Sequence, residues 1–272
     1  MAMKDLMIHL DNSAASDSRL QVALQLAARF EARLTGVFAV IDRKIGAKTT
    51  QPSDEVASLI EQAEASFKQR TAEAGVEQRW VSRITGSGNM MVKAVLAWAS
   101  SSDMAVLGQH DPDASVATPR DLVEQVINNC GRPVLVIPFA MSQRTIGNKI
   151  MIAFNGGREA SRAMNDAIPL LKLSNDVRLA IVNWSSKEEG EYAFTENDVV
   201  DHLGVHGIDV KIERFNVDGI GIMDLLLARL AEESMDMLVM GAHGHYGFPH
   251  LFKGSSTRHI LDHMTVPVLM SH

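Results

Sequence analysis

Short apolar runs alternate along the chain with longer segments in which apolar residues recur at helical spacing. Residues 4–10 (KDLMIHL) and 148–154 (NKIMIAF) are two such runs, and polar residues typical of a turn follow each of them. Residues 18–32 and 159–173 then have a helical pattern. In the first of these segments, apolar side chains have the spacing of one buried helix face, at Leu20, Ala23, Leu24, Ala27 and Ala28.

The rest of each half continues the same order of elements. Further strands are predicted at 34–40, 103–108 and 132–137, and again at 177–184, 236–241 and 266–270; helices are predicted at 55–74, 90–99 and 222–233. Gly108 and Gly241 are 133 residues apart, and Pro133 and Pro267 are 134 apart. Such self-similarity indicates a duplicated unit. We therefore place two domains at residues 1–144 and 145–272.

A parallel sheet covered by helices explains the alternation of these elements. Strands that are apolar along their whole length are typical of parallel sheets with helices on both faces. The pattern therefore predicts the α/β class, with two doubly wound domains of five parallel strands each. In open sheets of this kind, ligands bind at the carboxyl ends of the strands, near the switch in strand order.

Composition narrows the class of protein further. The 272 residues are 46% apolar and 22% charged, with a net charge of -7. A net negative charge argues against a general nucleic-acid binder or a binder of anionic membranes. The single cysteine, Cys130, has no partner for an intrachain disulfide, and no apolar segment is long enough to span a bilayer. We expect a soluble, cytoplasmic protein that binds neither nucleic acid nor membranes.

One loop in the second half combines features of a phosphate-binding site. Gly241 and Gly244 follow a predicted strand, and Gly254, Ser255 and Ser256 precede a predicted helix. Glycines let a ligand approach the backbone, and a helix N-terminus with small residues favours anions. A flexible loop with a serine helix cap would have the same sequence, so both interpretations stay open on spacing alone.

The spacing Gly241-x2-Gly244-x9-Gly254-Ser255 resembles the ATP-binding signature of the universal stress protein family. The whole chain resembles a tandem member of that family, with two family domains in one polypeptide. The resemblance implies an adenine nucleotide alpha-hydrolase-like fold with strand order 3-2-1-4-5. It also implies ATP, with Mg²⁺, at the carboxyl edge of the sheet. By the same resemblance, the fifth strands would pair the two domains as a pseudo-dimer within one chain, and a homodimer is a further expectation.

The resemblance also assigns residues to the nucleotide. Glycines and hydroxyls of the loop would hold phosphates and ribose, and the ends of the first two strands would face the base. The residues so assigned are Asn155, Val182, Asn183, Gly241, His243, Gly244, Lys253, Gly254, Ser255 and Ser256. The family usually has an acidic residue at the end of the first strand; Asp11 has that place in the first half and the uncharged Asn155 in the second.

The loop of the first half departs from the signature. Asp111 stands at the second glycine position, and no Gly-Ser pair precedes the following helix. Asp111, Asp113 and Asp121 would repel phosphates. We therefore predict that the first half binds no ATP, and that it is a structural partner or binds another ligand.

Three functions are compatible with this sequence. The first is a universal stress response protein of regulatory or sensing type that binds ATP in its second half. The second is a slow ATPase or nucleotidyl-transfer enzyme, although no catalytic base is evident. The third is a scaffold that binds a different small ligand in its first half. Two histidine pairs at i, i+4 spacing, His202/His206 and His259/His263, lack the third ligand that protein zinc sites need, and we assign no metal site.

Overall fold

The computed structural model describes residues 3–11, 13–46, 51–111, 118–141, 146–182, 195–215, 221–243 and 255–272. The chain divides into two compact units, Met1–Ser142 (unit 1) and Gln143–His272 (unit 2). The predicted boundary between residues 144 and 145 lies outside the described residues. Among those described, no helix has the length and apolar character needed to cross a membrane.

Unit 1 is a five-stranded parallel sheet with four helices in its described part. Its elements are β1 (Asp5–Leu10), α1 (Ala15–Phe30), β2 (Arg33–Ile41), α2 (Asp54–Glu73), β3 (Gln78–Thr85), α3 (Gly88–Ala99), β4 (Met104–Gly108), α4 (Leu122–Asn129) and β5 (Val134–Ile137). The strands lie in the order β3-β2-β1-β4-β5, and every pairing is parallel. The predicted fold class and the order 3-2-1-4-5 are confirmed.

Unit 2 repeats this plan. Its elements are β6 (Lys149–Phe154), α5 (Arg158–Leu171), β7 (Asp176–Val182), α6 (Glu196–Val205), β8 (Val210–Phe215), α7 (Ile222–Glu232), β9 (Met237–Gly241), α8 (Ser255–His263) and β10 (Val268–Ser271). Its parallel strands lie in the order β8-β7-β6-β9-β10. In both units the strand order switches between the first and fourth strands, which is where ligands bind in sheets of this type.

Burial along the strands explains which parts of the sequence pattern are strongest. The central strands β1 and β4 are buried at nearly every residue, because helices cover both faces of the sheet. The strands β3 and β8, at the outer edges, consist mostly of half-buried and exposed positions. The continuous apolar runs therefore mark the middle of each sheet, next to the switch in strand order.

In each unit, one aspartate side chain holds the amino end of the first strand. Asp103 Oδ2 accepts hydrogen bonds from the Lys4 and Asp5 amides at 2.7 and 3.0 Å. In unit 2, Asp236 accepts from three successive amides at 3.0 Å, those of Gly147, Asn148 and Lys149. Charge-assisted bonds of this kind are the strong ones. The opposite, carboxyl end of the sheet is where ligands bind in folds of this type.

Helix α1 begins earlier than its apolar periodicity predicts. The sequence prediction was residues 18–32, whereas the helix spans Ala15–Phe30. Its first turn contains small and polar residues that carry no apolar signal, although Ser16 is buried. Its end is set by Glu31, whose φ of 49° is left-handed and whose N–H caps the Ala27 and Ala28 carbonyls.

Candidate functional site

The two ends of the predicted phosphate loop lie where the motif requires them. Gly241 is the last residue of β9, and α8 begins at Ser255. The His243 amide donates to Thr257 Oγ1 at 2.9 Å, and the Thr257 side chain is buried. His243 itself has a left-handed φ of 54°. A turn after the strand is thus fastened to the first turn of the helix.

Gly241 has a packing role that the sequence analysis did not foresee. The motif assigned its missing side chain to the approach of a ligand. In the structure, a Cβ on Gly241 would lie 2.5 Å from Ala160 N and 2.5 Å from Glu159 C, both backbone atoms of α5. Glycine is therefore required here for close contact between strand β9 and the start of helix α5.

The start of α8 offers the donors that an anion needs. The first amides of any α-helix have no partner inside the helix, and the helix dipole adds partial positive charge there. Ser256 lies in this first turn and is half-buried. The side chain of Ser255 is outside the described residues, as are Gly244, Lys253 and Gly254.

The ends of β6 and β7 give the other side of the candidate site. Asn155 follows β6, is half-exposed, and accepts a hydrogen bond from the Gly157 amide on Oδ1 at 3.1 Å. Val182 ends β7 and is paired in register with Phe215 of β8. Asn183 lies outside the described residues, and so does the side chain of Val182.

His272 is a neighbour of the site that the sequence analysis missed. Its Nδ1 donates to the Ala242 carbonyl at 3.0 Å, and its ring meets the His243 ring edge-on, with centroids 6.2 Å apart. The available signal was the strand order, because β10 lies beside β9 and their carboxyl ends meet at one edge.

The corresponding place in unit 1 is filled by a buried ion pair. Arg19 Nη2 lies 3.0 Å from Asp11 Oδ2, and both side chains are less than a tenth exposed. Asp11 Oδ1 accepts from the Ser13 hydroxyl at 2.5 Å and from the Ser13 amide at 3.0 Å. Asp11 stands where the family usually has an acidic residue, and in unit 1 its oxygens are held by Arg19 and Ser13.

Gly108 makes room for this pair. A Cβ on Gly108 would lie 1.8 Å from Arg19 Nη1, so no other residue fits while the guanidinium is there. Their spacing of 133 residues predicts that Gly108 and Gly241 are equivalents in the repeated unit. They are equivalent in the fold, but Gly108 accommodates a side chain and Gly241 a helix backbone.

Burial and charge shift the pKa values of two residues in unit 1. Burial lowers the pKa of His9 to about 4, even though the nearby Asp11 carboxylate acts in the opposite direction. For Asp11, burial raises the pKa, but Arg19, His9 and the Ser13 hydrogen bonds outweigh it and hold the pKa at about 2. Asp11 is ionised and His9 neutral near pH 7.

Sequence reasoning missed both Arg19 and His9 as members of a site. His9 stands inside an apolar run, and it is only 1% exposed. Arg19 lies one turn before Ala23, on the buried face of α1. A cation on a helix face that is otherwise apolar was the available signal, since buried charges are almost always paired.

The aspartates predicted to repel phosphates have different positions. Asp111 lines the cleft next to the Arg19–Asp11 pair. Asp121 is exposed and stands at the N-cap of α4. Asp113 lies outside the described residues.

The histidine pairs contact other partners. His259 Nε2 lies 2.8 Å from Asp224 Oδ1, and its ring stacks on that of His263. His202 Nε2 lies 3.0 Å from Asn165 Oδ1. In the described parts of the chain, no group of three or more His, Cys, Asp or Glu side chains is arranged to hold a metal ion.

Comparison with known proteins agrees with this fold. Residues 147–272 match the family model described as the universal stress protein family. Universal stress protein Slr1230 of Synechocystis sp. is 25% identical over 209 residues, covering 75% of this chain and 69% of that protein. The crystal structure of a universal stress protein from Archaeoglobus fulgidus matches 100% of this chain and 99% of its own, with 15% identity and a TM-score of 0.71. A second A. fulgidus universal stress protein, in complex with dAMP, matches 50% of this chain and 98% of its own, with 15% identity and a TM-score of 0.36.

Proposed function

We propose that unit 2 binds ATP in a regulatory or sensing role, because residues 147–272 match the universal stress protein family model and the whole chain shares the fold of a full-length universal stress protein. The observation that carries this proposal is the placement of the glycine motif. Its first glycine ends β9, its serine opens α8, and a hydrogen bond from the His243 amide to Thr257 fastens the two.

The proposed contacts follow from that placement. The triphosphate lies against the amides at the start of α8, next to Ser256, with Gly244 and Gly254 giving backbone access and Lys253 adding positive charge. The adenine lies toward the end of β6 and β7, near Asn155 and the backbone of Val182 and Asn183. The Asn155 amide group carries no charge, so it contributes hydrogen bonds only.

Mg²⁺ enters with the triphosphate in this proposal. No cluster of three or more metal-ligating side chains is arranged within the described residues of either unit. We therefore assign no protein ligand to the ion and no catalytic residue to hydrolysis. A role in which nucleotide occupancy changes the state of the protein needs neither.

We further propose one nucleotide per chain. The start of α8 presents serine, whereas the matching helix of unit 1, α4, begins after the exposed carboxylate of Asp121. In unit 1 the Arg19–Asp11 pair fills the place at the end of the first strand. Unit 1 therefore has carboxylates, Asp121 and Asp11, at the two places where unit 2 has Ser255 and Asn155, and carboxylates repel phosphates.

The test is a calorimetric titration of nucleotide-stripped full-length protein with Mg·ATP. We expect one site per chain, and a melting transition stabilised by about 2.7 kcal/mol when ATP is present at about 100 times its Kd. An absence of heat and of stabilisation with millimolar Mg·ATP would refute the proposal. Two sites per chain would refute the asymmetry between the units.

The variant Ser256→Asp tests whether the phosphates lie at the start of α8. A carboxylate in the first turn of a helix favours folding, but at this position it would repel the triphosphate, so affinity should fall while the protein stays folded. The control is Ser87→Asp, which adds the same charge at the exposed N-cap of α3 in unit 1 and should leave ATP affinity unchanged. Equal affinity in both variants would show that the phosphates do not lie at α8.

A further inference from the structure

A polar cleft opens in unit 1 at the carboxyl ends of β1 and β4. Its walls include His9 and Asp11 from the end of β1, Arg19 from α1, and Gln109 after β4, with Leu122 of α4 on another side. The cavity volume is about 30 Å³, which is room for about two water molecules or one small polar group. The described protein atoms do not fill this space.

Two buried polar atoms at this cleft have no hydrogen-bond partner within the described residues. They are Nε2 of His9 and Nε of Arg19, on side chains that are 1% and 3% exposed. Both residues line the same cavity. Buried polar groups in folded proteins are nearly always paired, so such atoms call for an external partner.

The protonation states define what that partner must offer. Arg19 Nη2 is held by Asp11, which leaves the Nε–H as an unused donor. His9 donates from its other ring nitrogen to the backbone of Ala39, and burial keeps its pKa at about 4. A neutral imidazole in that tautomer presents Nε2 as an acceptor. The two unpaired atoms are therefore one donor and one acceptor.

The lining gives an anionic ligand no net attraction. Two carboxylates, Asp11 and Asp111, and two guanidinium groups, Arg19 and Arg120, line the cleft, and Arg19 is already paired with Asp11. A phosphate or carboxylate would lose hydration there with no net positive charge to offset the loss. An uncharged group meets no such penalty.

We propose that this cleft binds a small uncharged molecule through a primary carboxamide, whose NH₂ donates to His9 Nε2 and whose oxygen accepts from Arg19 Nε–H. A carboxamide has a donor and an acceptor on neighbouring atoms, and its size suits the cavity. The rest of the molecule lies toward the apolar side of the cleft, formed by Pro119, Leu122 and Val123 around the start of α4. This site is independent of nucleotide binding in unit 2.

Three aromatic probes of the same shape test the proposal. Benzamide has both hydrogen-bonding functions, acetophenone lacks the donor, and benzoate is charged. In NMR titrations of the full-length protein, we expect saturable binding of benzamide, at least about tenfold tighter than that of the other two, because each of them leaves a buried polar atom unpaired. Equal binding of the three probes would overturn the proposal.

Two variants remove one partner each. Arg19→Lys keeps a cation beside Asp11 but has no Nε–H, and His9→Phe keeps a buried ring but has no acceptor. Both should weaken benzamide binding by about tenfold or more, whereas Ser256→Asp should leave it unchanged. Unchanged benzamide affinity in folded Arg19→Lys and His9→Phe proteins would overturn the assignment.

A crystal structure of the unaltered protein with benzamide decides the question if the variants fail to fold. The amide should lie against both His9 Nε2 and Arg19 Nε. Ordered water at those two atoms, with benzamide absent or bound elsewhere, would show that water alone satisfies them and would overturn the proposal.

Discussion

Burial of a neutral histidine makes the stability of unit 1 depend on pH. The pKa of His9 is about 4 in the folded protein against an ordinary value of 6.5. The unfolded chain therefore binds more protons between these pH values, and protonation favours unfolding. The contribution of His9 to stability is complete above its ordinary pKa and is lost as the pH falls toward 4.

The size of this effect follows from the shift. Each pKa unit corresponds to about 1.4 kcal/mol, so the full loss is about 3 kcal/mol, of which about 2 kcal/mol falls between about pH 7 and pH 5. Asp11, with a pKa of about 2, loses its own contribution only at more acidic pH, below its ordinary value of 3.8. The interval from about pH 7 to pH 5 therefore isolates His9 from the Asp11 titration.

Urea unfolding followed by tryptophan fluorescence measures this effect in unit 1. A Trp184→Phe background leaves only Trp80 and Trp98, and both lie in unit 1. In that background, His9→Phe should flatten the pH dependence of the free energy of unfolding by about 2 kcal/mol between about pH 7 and pH 5. The hydrogen bonds lost in His9→Phe change the free energy of unfolding by the same amount at every pH, so they do not affect its slope against pH.

The control is His110→Gln, which alters the other histidine of unit 1. That side chain is half-exposed at the same cleft, so the variant tests whether removing any histidine from this place, rather than the buried one, flattens the slope. Parallel curves for the His9→Phe and parent proteins over this range would refute the argument that a buried neutral His9 sets the slope.

Packing, charge pairing and thiol burial each give a further testable expectation. Gly241→Ala should destabilise unit 2 by about 1–3 kcal/mol in thermal melting, because its Cβ meets backbone atoms. The control is Gly204→Ala at an exposed position of α6, which should stabilise unit 2 by up to about 1 kcal/mol. A Gly241→Ala protein that melts no lower than its parent would contradict the packing argument. Arg19→Met should cost about 3–5 kcal/mol in urea unfolding, because it leaves the buried Asp11 carboxylate unpaired. The double variant with Asp11→Asn should recover part of that loss, and a fully additive loss would count against the pairing. Cys130 should react slowly with iodoacetamide in the native protein and rapidly in urea, since burial raises the pKa of its thiol; equal rates would show that the thiol is accessible.

The elements of the fold were predictable because each depends on local pattern. Strands β1, β4, β6 and β9 are buried along almost their whole length, so their apolar runs are continuous. Helix ends were less predictable, since the first turn of α1 consists of small and polar residues. The strand order came from family resemblance, because pairing between β1 and β4 joins residues almost 100 positions apart.

The candidate sites show where local pattern is insufficient. The glycine motif placed Gly241 and Ser255 at the end of a strand and the start of a helix, as the structure has them. The Arg19–Asp11 pair was not predicted, since it forms only when a strand end, a helix turn and Gly108 come together. A charged side chain within an apolar helical pattern indicates such a pair but does not identify its partner.

The contact between Arg19 and Gly108 also limits how unit 1 can change during evolution. Any side chain at position 108 would meet Arg19 Nη1 and force the guanidinium to shift beside its bond with Asp11. Loss of Arg19 leaves the buried Asp11 carboxylate unpaired, which is strongly destabilising. Positions 11, 19 and 108 therefore constrain one another. A protein engineer who wishes to redesign this place in unit 1 should change positions 11 and 19 together, and only then alter the loop after β4.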